Sequence, residues 1–218
     1  MNAMITDDGD KNTSKNGSVL IDLQYLPSIA FFQELARADI IILEAHETFQ
    51  KQTFRNRCEI LTSNGREALI VPILHGGNGY IKNVQIDYSQ RWAQIHERTI
   101  RSAYGKSPFF EFFMDDFSAV LLKKHTYLWD LNYELLTVCL EKLTLKKGIF
   151  ESNSYIKPQE VPVYCKDLRG KILPGIENTE GQIGMKPYKQ VFGNEFVSNL
   201  SIVDLLFCAV LDSSELLQ

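Results

Sequence analysis

No stretch of the 218-residue chain approaches the ~20 uninterrupted apolar residues that a membrane span requires. The N-terminus, MNAMITDDGDKNTSKNGS, is polar and acidic and has no apolar core of a secretory signal. Cysteine is sparse. Cys58, Cys139, Cys165 and Cys208 are scattered with no CxxC pair, which argues for free thiols in a reducing compartment and against a disulfide scaffold. His46, His75, His96 and His125 are isolated and no HExxH occurs, so no metal site is expected. Walker, GxGxxG and GxSxG patterns are all missing, and the loop His75-Gly76-Gly77-Asn78-Gly79 fits none of them. No motif specifies a cofactor, which leaves that question open. These absences describe a soluble, cytoplasmic protein with no membrane span.

What is present is ordinary globular material, 44% hydrophobic and 23% charged, enough for one domain with a sizeable core. Residues 1–18 read as a disordered tail and 19–218 as the domain. The net charge of −4 hides a division along the chain. Residues 51–106 carry nine Lys/Arg against four acids, and 146–190 carry eight against five. A basic centre in an acidic chain suits an anionic small molecule, such as a sugar nucleotide or an activated acyl group, better than a long nucleic acid. The alternative is a set of ordinary solvated faces.

The pattern predicts an α/β fold. Ser18 to Leu23 is a short apolar run, Pro27 suits a helix start, and Ile29, Phe32, Leu35 and Ala36 follow at helical spacing. Asp39-Ile40-Ile41-Ile42-Leu43 then reads as a strand buried on both faces, giving a short parallel βαβ unit. Thr53 to Leu61 alternates, placing Phe54, Asn56, Cys58 and Ile60 on one face and Arg55, Arg57 and Glu59 on the other. Asn64-Gly65 turns it back into Glu67–Ile73 as an antiparallel partner, and Val84–Asp87 is a further short strand, so the sheet is mixed. A helical C-terminal half follows. One helix starts near Gln90, one is capped by Ser107-Pro108, one runs over 126–145, and a last one is opened by Ser201-x-x-Asp204. Between them Glu160–Tyr164 reads as an edge strand.

Polar residues at strand ends are the candidate site. Gln24 and Tyr25 follow the first strand, where open α/β sheets place ligands; otherwise they simply close a turn. Glu44, His46 and Glu47 occupy the corresponding end of the second strand. Asn56 points among apolar neighbours and needs partners. Arg57 can grip an anion bidentately or pair with Glu59 on its own face. His96, beside Trp92 and Ile100 on an apolar helix face, is either a hydrogen-bonded core residue or a base.

The series Gln24-Tyr25-Leu26-Pro27, Phe31-Phe32, Ala38-Asp39, Asn56-Arg57, Val71-Pro72, Trp92, His96, Tyr104 and Ser107-Pro108-Phe109-Phe110 resembles the WbqC-like family. The closing stretch Phe196 to Phe207 is similar to that family's final segment. The chain departs where Gln24-Tyr25 stands for the usual Gln-Pro and where Glu44 stands for an Asp. The resemblance implies a role in bacterial surface-polysaccharide (O-antigen) biosynthesis, with aminoacyl, glycyl or acyl transfer onto an amino-sugar nucleotide. On that implication Arg57 is the anion grip, Gln24, Tyr25 and Asn56 orient the substrate, and His96 or Glu44 is the catalytic base. A non-catalytic sugar-nucleotide-binding or scaffolding role is the alternative.

Overall fold

A computed structural model describes residues 17–74, 79–175 and 185–218. Of the tail expected over 1–18, residues 1–16 lie outside these, as do residues 75–78 of the Gly-rich loop, while Ser18 already belongs to the first strand. β1 (Ser18–Ile21), α1 (Ile29–Arg37) and β2 (Ile40–Leu43) form the expected parallel unit, with Ser18 opposite Ile40 and Ile21 opposite Leu43. Val19, Leu20 and Ile21 of β1 are buried, but β2 is fully covered on one face only. Ile41 and Leu43 are buried, whereas Ile40 is 43% exposed and Ile42 half-buried, which corrects the expectation of a strand buried on both faces. α1 buries Ile29, Phe31, Phe32 and Leu35.

The chain then leaves the sheet for a long excursion. This comprises the hairpin β3 (Arg57–Thr62) and β4 (Gly65–Ile70), then α2 (Trp92–Tyr104), α3 (Phe110–Leu121) and α4 (Leu128–Lys142). It returns as β5 (Gly148–Glu151) beside β2, crosses to β6 (Cys165–Asp167) beside β1, and ends in α5 (Ile202–Ala209) and α6 (Ser213–Leu216). The four-stranded sheet has the order β5-β2-β1-β6 and is parallel throughout, while β3 and β4 form a separate antiparallel pair. The parallel unit and the antiparallel pair are thus both present, standing as two sheets. Because β2 and β6 flank β1 on opposite sides, the β1/β6 boundary is the topological switch point, where such sheets open a crevice at their carboxyl ends.

Several local expectations are corrected. The alternating strand begins at Arg57, because residues 53–56 turn inward; Arg55 is fully buried and Glu59 is only 7% exposed, so neither lies on a solvated face. The segment 84–87 forms single bridges, Ile73 to Ile86 and Gln85 to Tyr127. Ser107 does not cap α3, which starts at Phe110; its hydroxyl donates back to the Tyr104 carbonyl at 2.6 Å. Ser201 likewise donates to the Leu26 carbonyl at 2.7 Å and makes no side-chain cap. The edge strand falls at 165–167 instead of 160–164, and β5 stands where no strand was expected. Among the described residues no helix is long and apolar enough to cross a membrane.

Candidate functional site

The carboxyl ends of all four parallel strands meet on one edge, and each contributes polar groups there. Asp22 follows β1, Glu44 to Glu47 follow β2, Ser152 to Ile156 follow β5, and Asp167 and Arg169 end β6. Arg55 enters this edge from the loop before the hairpin and is the largest fully buried side chain among the described residues. Its Nε and Nη2 donate to the two Glu47 oxygens at 2.7 and 2.6 Å, and Nη2 lies 3.6 Å from Asp22. Burial opposes the Arg55 charge, but its bonds to Glu47 and the charge of Asp22 outweigh it and hold its pKa above the ordinary value. Burial pushes the Glu47 carboxyl up despite Arg55, with Asp22 and Glu44 adding to the effect.

Asp22 ties the edge together. One oxygen accepts the Gly170 N–H at 2.7 Å and the other the Gln24 amide at 3.1 Å. Gly170 makes this approach at φ +63°, a conformation natural to glycine. Gln24 also donates to the Ile172 carbonyl at 3.4 Å, while its Oε1 is buried with no partner among the described residues. Glu44 is saturated: Oε1 accepts from Ser152 Oγ (2.6 Å) and His46 N (3.0 Å), and Oε2 from Arg169 Nη1 (2.8 Å) and Ile156 N (3.1 Å). Arg169 also donates from Nε and Nη2 to Asp167 at 2.9 and 2.7 Å, and its guanidinium lies 5.1 Å from the Tyr155 ring centre. Burial raises the Asp167 carboxyl, but the Arg169 bonds prevail and hold it below its usual range.

A cleft of about 530 Å³ opens over this network, walled by His46, Glu47, Arg55, Asp167 and Arg169, with Tyr80 and Tyr155 at its sides. The two tyrosines are well exposed, and the His46 ring has no hydrogen-bond partner among the described residues. Polar groups converging between aromatic walls are what a small polar ligand with an apolar face requires.

The candidates read from the sequence divide into three places. Gln24 and Glu44 belong to the network beneath the cleft. Tyr25 and His96 form a separate buried pair, Tyr25 Oη to His96 Nδ1 at 2.9 Å, with Trp92 packed edge-on against the imidazole at 5.2 Å. Burial lowers the His96 pKa to about 4 and raises that of Tyr25 well above its ordinary value, so both are neutral near pH 7. Asn56 and Arg57 lie at the start of the hairpin. The Asn56 amide donates to the Val71 carbonyl at 2.9 Å, and Arg57 bonds Glu59 at 2.7 Å, a carboxylate shared with Arg66. Tyr25, His96, Asn56 and Arg57 do not wall the cleft. Sequence reasoning missed Arg55, Asp22, Asp167 and Arg169. The carboxylate directly after an apolar strand was the available signal for Asp22; Asp167 ends the short, polar β6 and carried no such signal. Among the described residues no trio of His, Cys, Asp or Glu is arranged to hold a metal ion.

This geometry defines an open parallel α/β protein with a polar cleft at the sheet's carboxyl edge. Residues 24–171 match the family model described as the WbqC-like protein family, and the chain belongs to that family. The matched region begins at Gln24 and ends just beyond Arg169 and Gly170, so it holds most of the cleft network. An uncharacterized protein of Mycobacterium tuberculosis, Rv1507c, is 24% identical over 213 residues, spanning 86% of this chain and 91% of its own length. No solved structure matches the chain.

Proposed function

We propose that this protein binds an amino-sugar nucleotide in the carboxyl-edge cleft and transfers an acyl or aminoacyl group to its amine. On this reading it serves surface-polysaccharide biosynthesis in the cytoplasm. The observation that carries the ligand class is the wall of the cleft. Exposed Tyr80 and Tyr155 offer faces for a sugar ring, and carboxylate, guanidinium and imidazole groups between them match its hydroxyls and amine. Membership of the WbqC-like family supports the transfer reading.

Roles follow from what each group has left to offer. Both Glu44 oxygens are engaged, so Glu44 positions Arg169 and does not act as a base. His96 is hydrogen-bonded to Tyr25, buried and off the cleft wall, and on this reading serves as a core residue. His46 walls the cleft with an imidazole that has no hydrogen-bond partner among the described residues, and it is the side chain we assign to take the proton of an attacking amine. Arg57 remains a candidate grip for the anionic tail only if a bound ligand draws it from Glu59.

The test combines two measurements on the purified chain. Thermal-shift screening against nucleotide sugars with free and N-acylated amines should show stabilisation by the free-amine forms. Incubation of a hit with aminoacyl and acyl donors should add the donor's acyl mass to the sugar nucleotide by mass spectrometry, and His46→Ala should abolish that product while leaving the thermal shift. Stabilisation without product under every donor would establish the binding role instead. No stabilisation by any nucleotide sugar would refute both.

A further inference from the structure

The charges beneath the cleft do not match the anionic part of a nucleotide sugar. Four carboxyl groups, Asp22, Glu44, Glu47 and Asp167, are gathered with two guanidinium groups, Arg55 and Arg169. Arg169 is consumed. Its Nε and Nη2 hold Asp167, and Nη1 donates both to Glu44 and to the Ile156 carbonyl at 2.6 Å. Arg55 is different. Nε and Nη2 are taken by Glu47, but Nη1, on a side chain 1% exposed, has no partner among the described residues, and Arg55 lines the cleft. A buried donor left unmatched beside a cleft marks where a ligand acceptor belongs. The surrounding excess of negative charge decides which acceptor. Phosphate oxygens would meet more carboxylate than guanidinium, at short range and away from bulk water, whereas a hydroxyl meets no such opposition and an ammonium is attracted.

We propose that the floor of the cleft takes the hydroxyl-bearing ring of the ligand, neutral or amine-substituted, with Arg55 Nη1 donating to one of its oxygens, and that phosphates stay outside it. This deepens the sugar-nucleotide reading and rests on it. Arg55 is then the specificity-determining residue, and Glu47 and Asp22 hold its guanidinium in one orientation. Gln24 Oε1, the unmatched buried acceptor on the other side of Asp22, supports the same floor without walling it.

The experiment uses the isotope-labelled full chain and three probes: glucosamine, glucose and inorganic pyrophosphate. Arg55 guanidinium resonances are followed by NMR, so wild-type protein suffices. Glucosamine should shift them at lower concentration than glucose, and pyrophosphate should leave them unchanged. Asp167→Asn removes one negative charge but keeps an acceptor for Arg169, and it should admit pyrophosphate measurably better than wild type. Arg55→Lys, which keeps the charge and loses Nη1, should weaken glucosamine binding by about tenfold or more, the size of one hydrogen bond to a charged group. Pyrophosphate moving the Arg55 resonances as readily as the sugars, or neither sugar moving them, overturns the proposal. If an intact sugar nucleotide still binds with its phosphates at Arg55, the inference fails and the proposed function stands. If no sugar nucleotide binds, both fail.

Discussion

Replacing Arg55 by methionine removes the cation that two buried carboxylates share. The loss comprises two charge-assisted bonds to Glu47, at 2.7 and 2.6 Å, and the attraction of Asp22 at 3.6 Å. At about 1.5–3 kcal/mol per bond to a charged group, the two bonds together would account for roughly 3–6 kcal/mol, and the roughly 3–5 kcal/mol seen when buried ion pairs are broken from one side sets the working range. Asp22 keeps its Gly170 and Gln24 donors, so most of the penalty sits on Glu47. For a chain of this size, 1 kcal/mol moves Tm by about 2–4 °C, so a drop of roughly 6–20 °C is expected. The penalty should depend on pH with a definite sign. Burial already raises the Glu47 carboxyl, and without Arg55 it rises further. A carboxyl whose folded pKa exceeds its unfolded value destabilises the fold above the folded value and ceases to do so once pH falls below the unfolded one. The gap between variant and wild type should therefore narrow as pH falls from about 7.5 to about 5. Adding Glu47→Gln should recover part of the loss at the higher pH. Calorimetric or denaturant unfolding at both pH values decides it. A loss below about 1 kcal/mol, or one equal at the two pH values, would refute the shared-cation reasoning.

Two further outcomes are expected. His96 titrates near 4 in the fold against an ordinary 6.5, so it withdraws stability as pH falls through that window, by about 3 kcal/mol at pH 4. His96→Phe should flatten the Tm-against-pH curve there, and parallel curves for variant and wild type would contradict the assignment. All four cysteines are buried and free, and burial pushes up the thiols of Cys58 and Cys139, and that of Cys208 to about 12. A thiol reagent should titrate four groups in denaturant and react slowly with native protein; rapid native labelling of any one would show its burial to be incomplete.

The βαβ unit was legible because its signals are local and agree: a doubly apolar strand, a helix-period run and a proline at the entrance. Gln24 and Glu44 were legible as edge residues because position after a parallel strand is enough to place them. β5 and β6 were not. They contain four and three residues, and each is covered on one side only, so neither presents a periodic apolar run; Phe150 in β5 is 58% exposed. Arg55 was misread for a deeper reason. Alternation assigns a charged residue to solvent, and only the carboxylates delivered by β1 and β2 make its burial possible. The same distance effect hides Arg169, whose carboxylate partner Glu44 lies far away in the chain. His96 was placed correctly on a buried helix face, but local pattern could not tell that its partner is Tyr25.

The order β5-β2-β1-β6 also bears on how the chain reaches this state. β2 ends at Leu43 and its neighbour β5 begins at Gly148, and β1 pairs with the still later β6, so two of the sheet's three strand pairings join segments separated by the whole hairpin and three helices. Closing so long a loop from an unfolded chain carries a large entropic penalty before any strand contact offsets it. In the folded chain the excursion brings its two ends together, since Leu43 of β2 lies opposite Glu151 of β5. The sheet edge is thus made of segments that lie far apart in the chain. The helices also reach the edge network directly, because the buried Asn132 of α4 donates to the Arg55 carbonyl at 2.8 Å, so α4 and the network depend on one another.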